Sequence, residues 1–221
     1  MANMNQDQAR FNMVEQQIRT WDVLNSRVLS VLHETPREKF VPNQFLKLAY
    51  ADTEITIGHG QTMDKPLISA RVLEALDMQD NETILEIGTG SGYLTALLAQ
   101  LSQHVYSIDL SSEFVEKAKQ TLSELKIENV TLTTADITNG YAEHAPYDAI
   151  ACTASFPETV PATILNNLKV GGRMFAIIGQ APIMEATLIT RSSETEWQHE
   201  ALFETETTAI DGITIQPQFV L

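Results

Sequence analysis

The chain has 221 residues, 43% of them hydrophobic, enough to bury one full core but not two large domains. Its formal net charge of −15 repels phosphate backbones and anionic lipid, so neither nucleic acid nor membrane is an expected partner. The single Cys152 excludes an intrachain disulfide, no stretch has the apolar length to cross a bilayer, and Met1 to Thr20 is polar and amphipathic rather than a signal peptide; a reducing, cytoplasmic setting is the expectation.

In chain order, Phe11, Val14 and Ile18 recur at helical spacing. Val23, Leu24, Val28, Leu29 and Leu32 then predict a second helix ending near Pro36, and a third short helical piece follows Pro42. These segments are too small for a core of their own, so they are expected to cap a sheet. Pro66 opens a helix with Ile68, Val72, Leu73 and Leu76 on one face. From there strand and helix alternate: a strand around Ile84 to Ile87, a helix through Leu94 to Leu101, a strand His104 to Asp109, and a helix after Ser111. Val130 to Thr134 and Tyr147 to Cys152 read as strands, Val160 to Leu168 as a helix, and Gly171-Gly172 precedes a strand Arg173 to Ile178. Such alternation predicts an α/β fold with a doubly wound, mostly parallel, Rossmann-like sheet. Glu185 to Arg191 and Trp197 to Phe203 are strand-like with short polar spacers and are expected to pair antiparallel at one edge. The expected organisation is a single domain over 1–221: helical cap and covering loop in 1–65, ligand-binding core in 66–180, edge strands in 181–221.

The segment from Thr83 to Ala99 joins an apolar strand, three glycines and a helix start. Gly88, Gly90 and Gly92 permit positive φ and close backbone approach to a ligand at a helix N-terminus. Asp109 falls 21 positions after Gly88, near the spacing of a carboxylate that grips a ribose. A dinucleotide fingerprint, however, needs glycine where Tyr93 stands. Glu86, two residues before Gly88, welcomes a cationic amine and repels a phosphate. S-adenosylmethionine, which has an amine, a ribose and no phosphate, fits better than a dinucleotide. Ligands of such sheets bind outside the carboxyl ends of the strands, where Glu86, Asp109 and Asp136 converge; helix capping by Asp109 and turn formation by Asp136 are the alternatives. The five histidines and Cys152 show no metal-ligand spacing, so no metal is expected. Cys152 reads as packing, Ser91 lacks the spacing of a hydrolase elbow, and His59 reads as an ordinary loop residue.

Several motifs resemble the protein-L-isoaspartate O-methyltransferase family between about Met13 and Gly179. They are Val14-Glu-Gln-Gln-Ile18, Arg37-Glu-Lys-Phe-Val-Pro42, Ala49-Tyr-Ala-Asp52, Ile57-Gly-His-Gly-Gln-Thr62, Leu85 to Tyr93, Asn129-Val130, Ala145-Pro-Tyr-Asp148 and Leu168-Lys-Val-Gly-Gly-Arg173. The glycine loop suits many methyltransferases; the Gly-x-Gly-Gln-Thr segment is more particular to this family. The resemblance implies S-adenosylmethionine as cofactor, S-adenosylhomocysteine as its product, and isoaspartyl residues of damaged proteins or peptides as methyl acceptors. It implies that Glu86, Gly88, Thr89, Gly90, Ser91 and Gly92 hold the methionine end, Asp109 the ribose, and Asp136 with Ile137 the adenine. Gln61 and Thr62 would cover the methyl, and Thr153 with Ala154 would line the substrate cleft.

Three departures bear on the acceptor. Family members read Gln-Thr-Ile-Ser-x-Pro, with the serine taken to touch substrate; here the run is Gln61-Thr-Met-Asp-Lys-Pro66. An ionised Asp64 facing a substrate carboxylate at about 4 Å costs on the order of 4 kcal/mol at an effective dielectric near 20. The alternatives are that Asp64 caps the helix at Pro66, is offset by Lys65, or is held protonated. The usual Gly-Asp-Gly appears as Ala135-Asp-Ile137, and the C-terminus reads Gln216-Pro-Gln-Phe-Val-Leu221 rather than Arg-Phe-Val-Pro-Leu. Isoaspartyl methylation is thus set beside a methyltransferase with a different acceptor, a non-catalytic cofactor-binding protein and, more distantly, an NAD-dependent dehydrogenase.

Overall fold

A computed structural model describes residues 2–213. It holds a seven-stranded sheet built from β3 (Thr83–Ile87), β4 (His104–Asp109), β5 (Val130–Thr134), β6 (Tyr147–Phe156), β7 (Leu168–Gln180), β8 (Ile183–Arg191) and β9 (Trp197–Thr205), in the order 5-4-3-6-7-8-9. The pairs from β5 to β7 are parallel, and β7–β8 and β8–β9 are antiparallel. A separate two-stranded hairpin, β1 (Ile55–Gly58) and β2 (Gln61–Met63), stands outside this sheet.

The sheet divides two cores, as strand alternation requires. On β3, Ile84 joins the core shared with the helices, whereas Leu85 and Ile87 face the other side. The helical core gathers the N-terminal helices with α3 (Pro66–Leu76), α4 (Tyr93–Ala99) and α5 (Ser112–Glu124). The opposite core is covered by the one-turn α6 (Ala162–Leu165), the loop residues Tyr141 and Ala145, and Trp197.

The N-terminal segment begins as α1 (Ala2–Asn12) and continues through a wider π-helical turn, Met13–Ile18, that buries Met13, Val14 and Ile18. Phe11, expected on the buried face, is 51% exposed and lies against the His33 ring. The second helix, α2 (Ser26–Glu34), starts later than its apolar pattern suggests. Asn25 caps it by accepting the Arg27 amide at 2.9 Å, which leaves Val23 and Leu24 ahead of it. The helix expected over 160–168 is only α6. Tyr147 pairs with Leu168, so the chain is already strand there, and Gly171-Gly172 falls inside β7. A side chain at Gly172 would meet the Asp148 carbonyl at 2.9 Å.

Ionic contacts tie the amino ends of the parallel strands together. The Asp148 carboxylate accepts from the Thr83 amide at 2.8 Å and Lys169 Nζ at 2.7 Å, and the Arg173 guanidinium binds both oxygens of Glu82 at 2.6 and 2.7 Å. The carboxyl ends are left free to form a cleft.

Candidate functional site

A cavity of about 220 Å³ opens at the carboxyl ends of β3, β4 and β6. Its floor follows from the turn after β3. There the Gly88 and Thr89 amides donate to the Ile108 carbonyl at 2.8 and 3.2 Å, and the Gly90 amide donates to Asp109 Oδ2 at 2.9 Å. Asp109 Oδ1 also accepts from the Ser111 amide at 2.8 Å. One carboxylate thus joins the loop after β3 to the start of α5 and keeps lone pairs for a further donor. Gly92, at φ +82°, lets α4 pack close to α5: a Cβ there would lie 2.8 Å from Ala118 Cβ. Gly88, at φ +93°, lines the cavity, and a Cβ on it would meet nothing within 4 Å. The space over the backbone at Gly88 is therefore cavity.

Of the residues expected at the cofactor, Gln61, Thr62, Gly88, Gly90, Asp109 and Ile137 line the cavity; Thr89, Ser91, Gly92 and Asp136 do not. Thr89 is buried and shares a 2.6 Å hydrogen bond with Ser107 Oγ, and Ser91 Oγ accepts the Tyr93 amide at 3.3 Å. The Asp136 side chain is exposed and accepts the Thr138 amide at 2.8 Å, the turn-forming alternative, while Ala135 and Ile137 on either side face the cavity.

Glu86 corrects the expectation of a carboxylate open to a ligand amine. It is buried behind the loop, outside the cavity lining, where Thr95 Oγ1 and Ser107 Oγ donate to Oε2 at 2.5 and 2.6 Å and Oε1 has no partner. Burial pushes its carboxyl up to about 8, against the opposing pull of Ser107 and Thr95, with Asp109 adding to the rise. At neutral pH it is mostly protonated. Its position makes it a support of the loop.

The acceptor side is assembled from distant pieces. Thr153 and Ala154 come from the end of β6, and Asp64 from the exit of the hairpin. Asp64 is not the cap of α3: that helix is preceded by Lys65, with no side-chain cap, and the Asp64 side chain lines the cavity. Its backbone carbonyl is held at 2.5 Å by Nη2 of Arg37, a fully buried guanidinium whose Nε donates to the Ala49 carbonyl at 2.9 Å. Burial pushes the Asp64 carboxyl up to about 6, opposed by Thr153 and the Arg37 charge, while Glu54 adds to the rise.

Two parts of the wall go beyond the roles read from the sequence. The turn of the hairpin carries His59, at φ +51°, whose Nε2 lies 2.8 Å from Glu113 Oε2 and whose ring stands edge-on to Phe114. The segment after β9 returns across the sheet to the end of β6, where Ser155 N donates to the Thr208 carbonyl and Ile210 N to the Ser155 carbonyl, both at 2.9 Å. Thr207 to Asp211 thereby close the cavity. No periodicity links 207–211 to 153–155; His59, although inside the family-particular Ile57 to Thr62 segment, reads from sequence as an ordinary loop residue and is a wall residue here.

Among the described residues no group of histidines, cysteines and carboxylates could hold a metal ion. Cys152 is buried, its thiol pushed up to about 12 by burial, and it packs as expected. Among the described residues the ionisable side chains on the cavity wall are Asp64, Asp109, Asp211 and His59, with no lysine or arginine. A diphosphate finds no counter-charge there, whereas a cationic ligand does.

Comparison with known proteins is consistent over nearly the whole chain. The sequence profile of the family described as "Protein-L-isoaspartate(D-aspartate) O-methyltransferase (PCMT)" matches residues 8–207. A Protein-L-isoaspartate O-methyltransferase from Syntrophus aciditrophicus is 40% identical over 185 residues, 84% of each chain. Protein-L-isoaspartate O-methyltransferase 2 from Pelobacter propionicus is 37% identical over 199 residues, 90% of this chain and 88% of that one. A solved protein-L-isoaspartate O-methyltransferase superposes with a TM-score of 0.80 at 25% identity, covering 94% of this chain and 66%, just under two thirds, of its own. A Plasmodium falciparum structure in complex with S-adenosyl-L-homocysteine shares the fold, with a TM-score of 0.77 at 20% identity over 92% of this chain and 97% of its own. With its parallel sheet, its glycine turn and this breadth of likeness, the chain belongs to the protein-L-isoaspartate(D-aspartate) O-methyltransferase family.

Proposed function

We propose that the protein transfers a methyl group from S-adenosylmethionine to the carboxylate of isoaspartyl residues in damaged proteins. The observation that carries this reading is the cavity itself: bare backbone at Gly88, the Asp109 carboxylate beside it, apolar walls from Ile87, Ile108, Ile137 and Phe114, and, among the described residues, no lysine or arginine. That set fits a ribose hydroxyl pair, a flat purine and a positively charged ligand without phosphate.

S-adenosylmethionine supplies an electrophilic methyl group on a sulfonium. The acceptor needs no general base, because a carboxylate with an ordinary pKa near 4 is ionised at neutral pH. What the chain contributes is alignment and exclusion of water. Gly88 and Gly90 offer backbone to the methionine end, Asp109 accepts from the ribose, and Ala135 with Ile137 flank the adenine. Gln61 and Thr62 cover the transferring group, and Thr153 with Ala154 receive the acceptor. Glu86 and Asp136 act as supports, through Thr95 and Ser107 in one case and the Thr138 amide in the other. The acidic surface suits protein acceptors better than nucleic acid.

A second reading rests on Asp64, whose carboxylate faces the cavity where the family carries a serine. Ionised, it repels a carboxylate acceptor and favours a neutral or cationic nucleophile. An isoaspartyl-peptide assay on wild type and Asp64→Ser tests both. Turnover by the wild type supports the first reading. A wild type that binds cofactor without turnover, while Asp64→Ser turns over, supports the second; no turnover by either overturns the first.

A further inference from the structure

Arg37 carries a positive charge into the interior, and among the described residues no carboxylate accepts a hydrogen bond from it. Its side chain is fully buried, and its hydrogen bonds go to two backbone carbonyls, from Nε to Ala49 at 2.9 Å and from Nη2 to Asp64 at 2.5 Å. The remaining nitrogen, Nη1, is buried and has no partner among the described residues. The guanidinium carbon lies 4.7 Å from the centroid of the Tyr93 ring. Carbonyl dipoles and a ring face offset part of the cost of desolvating a guanidinium; a carboxylate in hydrogen-bond contact offsets far more.

The carboxylate within range is that of Asp64. Arg37 grips its backbone, and the two side-chain charges already act on each other: the guanidinium pulls the Asp64 carboxyl down against the larger effect of burial, and burial pushes the guanidinium down while Tyr93 and the Asp64 charge hold it up. In this structure the Asp64 side chain lines the cavity, as Thr153 does. With the backbone pinned by Nη2, a change between staggered χ1 rotamers swings the carboxylate off the cavity wall without moving the hairpin or α3. One carboxylate thus has two positions. On the wall it meets an incoming acceptor as a like charge; against Arg37 it meets an opposite one.

We propose that Arg37 is a positioning residue for the acceptor: when an isoaspartyl carboxylate enters, Arg37 draws the Asp64 carboxylate off the cavity wall into an ion pair. A cleft with aspartate in the place of the family's serine then still admits an anionic substrate. The inference rests on the isoaspartyl reading of the same cleft. It joins Arg37 and Asp64 in one unit, in which the acceptor's charge is accommodated by a guanidinium that the acceptor does not touch. Asp64 stays ionised as it moves, so admission of the acceptor requires no proton.

Two calorimetric measurements test this, both with an isoaspartyl peptide and the full chain loaded with S-adenosylhomocysteine. The first is a double-mutant cycle over Arg37→Gln and Asp64→Ser, with S-adenosylhomocysteine affinity reporting that each variant is folded. Arg37→Gln should weaken peptide binding about tenfold in the wild-type chain and less than about twofold in the Asp64→Ser chain. Equal losses in both backgrounds make Arg37 a structural residue only and overturn the proposal. The second measurement leaves Arg37 intact and repeats the peptide titration at pH 8 in buffers of different ionisation enthalpy. An Asp64 that pairs with Arg37 stays ionised, so wild type should take up only about 0.1 proton more than Asp64→Ser; an Asp64 that stays on the wall is protonated by the incoming charge, and an excess above about half a proton overturns the proposal. Peptide binding by Asp64→Ser but not by wild type overturns it as well. Peptide binding by neither, with S-adenosylhomocysteine held, removes the isoaspartyl reading and the proposal with it.

Discussion

The two sides of the cleft are built by different means. The cofactor side is one continuous piece, in which Gly88, Gly90 and Asp109 are locked by backbone amides within two successive strand-to-helix turns. The acceptor side joins a hairpin, a strand end and a returning tail, held by the Arg37 guanidinium, the His59–Glu113 contact and two hydrogen bonds to Ser155. A wall set by backbone tolerates little change; a wall of side chains from separate segments can alter its ligand without altering the fold.

Four substitutions probe that division. Gly92→Ala strikes the rigid side hardest, because it combines a positive φ with a 2.8 Å approach to Ala118; a loss of about 3–5 kcal/mol in urea unfolding is expected, with cofactor binding lost. A Gly92→Ala protein of wild-type stability would break the comparison. Glu86→Gln tests the support beneath the loop. Its carboxyl is raised from an ordinary 4.5 to about 8, so the folded state holds a proton that the unfolded chain releases between those values. Stability therefore falls by about 1.4 kcal/mol per pH unit as pH rises through that window; the Gln variant should lose this slope. Asp64→Ser tests the adaptable side. Because the carboxyl titrates near 6, wild-type kcat/KM for an isoaspartyl peptide should fall as pH rises through that value. The variant should be flat and about tenfold more active at neutral pH, equivalent to about 1.4 kcal/mol. Cofactor affinity should not move, and if calorimetry shows that it does, the two sides are not separable. His59→Ala removes an exposed contact to Glu113 and should weaken acceptor-peptide binding by no more than about 1 kcal/mol, read from KM.

The same contrast explains what could be read in advance. The alternation of strands and helices, the glycine turn and the strand-end position of Asp109 were legible because each is a local pattern: apolar runs, positive-φ glycines, a fixed spacing. Glu86 was legible as a strand-end acid but not as a buried one, since its neighbours Thr95 and Ser107 come from other elements. Asp64 had the spacing of a helix cap and is not one, because Arg37, far back in the chain, holds the backbone just before α3. The role of Thr207 to Asp211 depends on a return across the sheet that no composition announces. The altered Gln216 to Leu221 ending lies outside the described residues.

That return has a consequence for assembly. The end of β6 pairs with β7 on one side, Ser155 with Ile177 and Phe156 with Ile178, and gains its second neighbour only when the chain beyond β9 is in place. The glycine turn and Asp109 can settle as soon as β3, β4 and α5 dock, whereas the final wall waits on residues 207–211, more than fifty positions beyond Ser155. During synthesis the cofactor side is therefore formed on an open cleft, and the cleft gains its full shape late. A nascent chain halted after β7 would hold a structured glycine turn beside an unwalled acceptor side.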